Sequence, residues 1–355
     1  MNKKIIILLI IVLGAILAIS IILYMNQHLR HNMNFDIMRN TTDEENKNNA
    51  ANYGTMVADE NYICFYNIGD KKGLVCYDIK QDEYSVIDSQ SDRVYNGLQI
   101  YDGWLYYEKY DIYNQYGDGD YKVNLKTKNK ELIRRGNMNP RNFFQVCNPY
   151  ILSYNSNLVR IADGKETELT SAISGFTTLD GYVYYDEYFD EDYYKEYKKF
   201  PDYVNIVKQN IANPEDRTII KDSEFTDDVF KRFFVHDNKI YVVSHNLFVI
   251  ENDVMKKVEN VSFQYEPNIV FYSNFIIAND EIYDSNWNLI SRIEYKPDQE
   301  KITTKDFLNI KLEPQIVGGN LYIYCEEPIK INLPEVGEGW YKLDIEKYLS
   351  QHKLN

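Results

Sequence analysis

Cysteine, histidine, phosphate-binding glycine loops and concentrated positive charge are all scarce or missing in this 355-residue chain, and each shortage removes a class of function. Four cysteines, Cys64, Cys76, Cys147 and Cys325, are too few for a disulfide framework in so long a chain. There is no Cys-x-x-Cys, no His-Glu-x-x-His, no Gly-x-Ser-x-Gly elbow, no phosphate loop and no Gly-x-Gly-x-x-Gly. The sequence therefore nominates no catalytic residue, no metal site and no cofactor. Lys and Arg total 39 against 54 Asp and Glu, giving a net charge of −15 and a poor surface for nucleic acid.

Long apolar runs are also absent, with one exception. Ile5 to Tyr24 is interrupted only by small residues, and about 20 helical residues span a hydrocarbon core of roughly 30 Å. The run is longer than the apolar stretch of a cleaved signal peptide and lacks a small-x-small cleavage site after it. It predicts an uncleaved signal-anchor over 5–25, with a cytoplasmic tip at 1–4 and the body of the chain outside the cell membrane in a single-pass arrangement. Removing Lys3, Lys4 and Arg30, the only charges in residues 1–30, takes the net charge from −15 to −18. Partners of the body are then expected to be neutral or cationic. Residues 26–52 are asparagine-rich with no apolar period, which predicts a flexible tether spanning roughly 30 Å.

What is abundant is tyrosine, 33 residues of it, in short strand-like runs opened by a turn signal. The runs follow Asp59, Asp102-Gly103, Asn148-Pro149, Asp180-Gly181, Asp237-Asn238, Asn274 and Gly318-Gly319. Their mean period of about 43 residues lies in the range of four-stranded propeller blades, although single spacings run from 32 to 57. An all-β fold is expected, a β-propeller over 53–355 of seven blades, or six. A long sandwich or two tandem β domains would use similar strands. Radial stacking lets each small sheet bury both faces against its neighbours, and tyrosine suits this because its ring is apolar and its hydroxyl can reach water.

The Asp-Gly ahead of Trp104-Leu105-Tyr106-Tyr107 and of Tyr182-Val183-Tyr184-Tyr185 resembles a bacterial β-propeller family of unknown function related to the low-density-lipoprotein-receptor-related propellers. The likeness extends over about 55–349, and the units at Asn148, Asn274 and Gly318 depart from it. It implies an extracytoplasmic, often membrane-anchored binding or scaffolding domain and supplies no catalytic residues.

Two connections concentrate carboxylates and rings. Glu108 to Asp120 carries Tyr110, Asp111, Tyr113, Tyr116, Asp118 and Asp120; Asp186 to Tyr203 carries Asp186, Glu187, Tyr188, Asp190, Glu191, Asp192, Tyr193 and Tyr194. Both are expected to join equivalent strands and so to line one rim, where they suit a basic peptide, a protein of the envelope or exterior, or a glycan. Solvated loops of an acidic protein are the plainer reading. Asp118-Gly119-Asp120 lacks the ordered spacing of a calcium loop. His236 beside Asp237 falls at a repeated turn position and is expected to be structural. A hairpin centred on Asp70 would set Cys64 opposite Cys76, either as a bridge or as two reduced, buried side chains. The functional expectation is a binding module, against a carbohydrate hydrolase or an assembly subunit.

Overall fold

In the computed structural model, seven of the chain's tight turns set the architecture. Asp102 and Gly103, Asp180 and Gly181, Asp237 and Asn238, and Gly318 and Gly319 all take positive φ, the left-handed geometry of two-residue hairpins. Asp59 instead accepts the amides of Asn61 and Tyr62 at 2.8 and 2.7 Å, turning the chain with its side chain. The structure describes Gly14, Ile16, Leu17, Ile19 and Ser20, and residues 37–52, 54–67, 73–89, 93–111, 117–135, 144–147, 149–153, 157–169, 173–187, 205–220, 232–263, 267–297, 312–325, 329–337 and 339–352.

Each turn joins the first and second strands of a four-stranded antiparallel sheet, and there are seven such sheets. The innermost strands are Met56–Ala58, Arg93–Tyr101, Phe144–Cys147, Ile173–Leu179, Arg232–His236, Ile269–Tyr272 and Glu313–Val317. In the first six blades the strands follow in chain order from the inside out. The seventh is ordered Glu313–Val317, Asn320–Tyr324, Trp340–Lys342, then Glu335–Gly337 at the edge. The recurrent runs in the sequence are therefore second strands, and the innermost strand of each unit lies ahead of its turn.

Seven hydrophobic clusters hold the ring, one between each pair of neighbouring blades. Alternation along the second strands explains their unbroken apolar character. Ile63 and Phe65 face blade seven while Cys64 and Tyr66 face blade two. Tyr106 packs toward blade three and Tyr107 toward blade one; Tyr184 packs toward blade five and Tyr185 toward blade three. The paired tyrosines are one ring for each neighbour. This is a seven-bladed β-propeller, and among the described residues no strand is shared between its first and last blades.

Cys64 and Cys76 are opposite residues of the hairpin in blade one, with Cα atoms 4.1 Å apart and their sulfurs joined. The bridge closes a 12-residue separation, and entropy of that loop amounts to about 3 kcal/mol. Converting both cysteines to alanine is expected to cost about 2–3 kcal/mol, read as a lower urea midpoint at unchanged slope. An unchanged midpoint would show that the bridge contributes nothing to folding.

The expected tether is contradicted over its second half. Asp43–Ala51 is a helix, α1, opened by a capping box in which Thr42 caps the Glu45 amide and the Glu45 carboxylate returns to the Thr42 amide. It lies against the innermost strands, where a polar helix is stable because its partners are unpaired strand edges. Asn48 donates to Val235 O at 2.7 Å and accepts from Val235 N at 2.8 Å. Asn49 does the same with Ile316 at 2.7 and 3.1 Å, and Asn52 with Ile269 at 2.7 and 2.9 Å. Three side-chain amides thus stand in for a strand on blades five, seven and six. Ala50 and Ala51 are buried and small enough for the narrow axis.

Polar links also run from blade to blade. Gln99 accepts Val146 N at 3.1 Å, Arg232 donates to Asn268, and Asn268 donates to Leu312 O at 3.4 Å. Gln315 closes the circle from blade seven to blade one, accepting Met56 N at 3.2 Å and donating to the Thr55 hydroxyl at 2.9 Å. The C-terminal helix α2, Ile345–His352, packs against blades six and seven, with the Tyr348 hydroxyl accepting Glu294 N at 2.9 Å and donating to Arg292 O at 2.8 Å.

Among the described residues no helix is long and apolar enough to cross a membrane. The expected anchor falls almost wholly on residues outside those described.

Candidate functional site

The ring offers two faces. One carries the turns between first and second strands; the other carries the connections between second and third strands. Both acidic, tyrosine-rich connections leave from the second face, between the strands ending at Asp111 and Glu187 and those starting at Gly117 and Asn205.

The first connection is mostly not a loop. Its arms are the strands Trp104–Asp111 and Gly117–Asn124, paired as far as Tyr110 with Gly117, so Tyr110, Asp111, Asp118 and Asp120 belong to a long hairpin. Asp120 is buried and meets Arg134 of the outer strand at 3.0 Å. Burial pushes its carboxyl up to about 6, against the opposing pull of Arg134. Asp186 is fully buried and accepts Gly175 N at 2.8 Å, while Glu187 is tied to Arg217 at 2.6 Å. These three carboxylates were expected at a binding rim and instead hold the hairpins together. The physical reason is strand length: pairing carries both hairpins past the point where a loop was expected to begin. Tyr113, Tyr116, Tyr188, Asp190, Glu191, Asp192, Tyr193 and Tyr194 lie outside the described residues.

A second buried charge cluster joins blades one and two. Asp88 binds Lys109 at 3.1 Å and also Lys130. Burial alone would raise the Asp88 carboxyl, but Lys130, Tyr95 and Lys109 hydrogen-bond it and hold it below its usual value. Lys130 lies 4.5 Å from the Tyr121 ring, and Tyr121 stacks on Tyr107 with centroids 5.7 Å apart. The arrangement locks two blades and leaves its charges committed.

On the turn face, the mouth of the channel holds a cavity of about 430 Å³. Its wall is built from the first turn of α1 and from blades two to four, with Asp43, Lys47, Tyr101, Cys147, Tyr150 and Asp180 among the lining residues. Lys47 and Asp43 pair at 2.6 Å along the helix. Burial pushes the Cys147 thiol up to about 12, which disfavours its thiolate form at neutral pH. Two carboxylates and two phenol rings make the mouth suited to a small cationic or neutral polar group. The turn residues of this site follow from the repeat; Asp43 and Lys47 were hidden by reading their segment as coil, although Thr42-Asp43-Glu44-Glu45 has the form of a capping box.

His236 has a structural environment. Its ring stacks on Phe271, centroids 4.4 Å apart, and its Nδ1 is 3.0 Å from Glu44 of α1. Among the described residues no group of three or more His, Cys, Asp or Glu is placed to hold a metal.

A chain in the crystal structure of a mitotic checkpoint complex superimposes with a TM-score of 0.50 at 10% identity, covering 88% of this chain and 92% of that one. The likeness is one of fold alone. The computationally designed Ika8 protein gives 0.49 at 11% identity, covering 81% and 82%, and the WD40 β-propeller domain of Doa1 gives 0.46 at 10%, covering 84% and 94%. No protein-family model and no curated protein matches the sequence.

Proposed function

We propose that this chain is a single-pass, membrane-anchored binding module whose propeller faces outward and presents an acidic, aromatic surface to a neutral or basic partner of the envelope or exterior. The observation that carries the reading is the filled channel. Residues from all blades converge only at the axis, and that is where a catalytic constellation drawn from several blades would assemble. Here α1 occupies it and its asparagines are spent on backbone. What remains to a ligand is the cavity at the channel mouth and the outer surface, and recognition on loops held by a rigid scaffold is what such a surface does.

The hydrolase alternative needs two carboxylates free to act as acid and base. Asp88, Asp120 and Asp186 are each engaged by a protein cation or amide, which favours binding instead. The apolar run at Ile5 to Tyr24 supports the anchor, and the resemblance to the receptor-related propellers supports the extracytoplasmic side. Asp190, Glu191 and Asp192 are the residues in the longer connection assigned to partner contact.

The test uses the full-length chain in detergent as bait for native envelope. Replacing Asp190, Glu191 and Asp192 by Asn, Gln and Asn is expected to reduce capture about tenfold at low salt while the urea midpoint stays put. High salt should weaken capture by the parent chain in the same direction. Equal capture by parent and variant would remove these connections from the interface.

A further inference from the structure

We infer that α1 fixes how the propeller stands on its membrane: the face carrying the first-to-second-strand turns looks toward the bilayer, and the face bearing the two acidic connections looks away from it. This rests on the anchor proposed above. The argument begins with the direction of the chain. Glu44, in the first turn of α1, meets His236, the last residue of its strand and next to the turn. Asn52, just past the helix, meets Ile269, the first residue of its strand and thus at the other end. The helix therefore enters the channel from the turn face and runs inward.

The residues before it are held to that same face. Met38 N and Arg39 N both donate to Gly318 O, at 2.7 and 3.1 Å, and Gly318 N donates to the Thr41 hydroxyl at 3.0 Å. Gly318 has φ of 59°, and a Cβ there would meet Ile37 at 3.0 Å, so the close approach depends on glycine. Arg39 then clamps back on Glu45 through two bonds of 2.8 and 2.6 Å. Residue 37, the first of the docked segment, lies on the turn face beside blade seven.

Only residues 26–36 then separate the docked segment from the end of the apolar run. A link of that length cannot exceed about 40 Å. A propeller held by its turn face on so short a link cannot readily turn over. The cavity at the channel mouth faces lipid, and the outward face is the one a basic protein segment in solution reaches first. Aspartates 82, 102, 180, 237 and 253, all with left-handed backbone at turns of the near face, would keep that face from settling on an anionic bilayer.

Energy transfer to acceptor-labelled lipids tests the orientation in vesicles holding the full-length protein. Lys126→Cys places a donor on the near face and His245→Cys on the far one, both at exposed positions. Blade strands of about six residues separate the two levels by roughly 20 Å. The Lys126 label is expected to transfer at least twofold more efficiently. Inserting twenty Gly/Ser residues after Asn34 should bring the two efficiencies together. Equal efficiencies without the insert, or a stronger signal from His245, would overturn the orientation while leaving the anchor intact. Failure of the protein to float with the vesicles would overturn the anchor and the orientation with it.

Discussion

Replacing Asn48, Asn49 and Asn52 together by alanine is expected to unfold the propeller at room temperature. Each side chain satisfies one buried N–H and one buried C=O of an innermost strand. Orphaning such groups costs about 1–3 kcal/mol apiece, so a single substitution, which orphans two, should cost about 2–6 kcal/mol. Three sum to a loss comparable with the whole stability of a typical domain, about 5–15 kcal/mol. Urea titration of the single variants gives the scale, and the triple variant is checked by loss of the cooperative transition. Leucine at the same positions keeps the volume but should not rescue, because the strand groups stay unpaired. Single variants within 0.5 kcal/mol of the parent would mean that α1 is a passenger in the channel.

The second large effect is expected at Arg134. Asp120 and Arg134 are 3% and 9% exposed, and removing the cation leaves a buried carboxylate alone. Arg134→Met should cost about 3–5 kcal/mol at neutral pH. Its pH dependence has a definite sign. The folded-state value of Asp120 is already raised by burial to about 6, above the usual value near 4, so the folded protein holds this proton more tightly than the unfolded chain. Its stabilising contribution is present at low pH and is lost as pH rises from about 4 through about 6. Without Arg134 the value climbs further, so part of the loss in Arg134→Met should return between pH 7.5 and pH 5. Adding Asp120→Asn should restore stability at pH 7.5 and abolish the pH dependence from this site. A variant loss that stays the same across that range would show that the carboxylate is not the cause.

The ring was legible from its turns because their chemistry is local. Asp102-Gly103, Asp180-Gly181, Asp237-Asn238 and Gly318-Gly319 take left-handed backbone, and these four pairs mark four of the seven hairpins. Tyr106-Tyr107 and Tyr184-Tyr185 were legible for the same reason, since a strand between two neighbours needs bulk on both faces. The innermost strands of blades five to seven were hidden because their partners on one side are side-chain amides, and nothing in Asn48-Asn49 read alone indicates a channel wall. That both connections leave one face follows from the repeat, whereas which of their carboxylates are buried does not. Whether Asp120 faces solvent or Arg134 is decided by a strand register 14 residues away, which composition does not encode.

The partners of α1 lie far along the chain: 187 residues for Asn48 and 267 for Asn49. During synthesis the helix is made first, and its asparagines have no strand to hold until blades five to seven have emerged. At ribosomal speed that is a wait of roughly 10–50 s, during which the nascent blades expose interior edges that only the waiting segment can cover. The earliest stretch of the domain to be born is the last to be seated, and completion of the ring is timed by the arrival of the C-terminal blades.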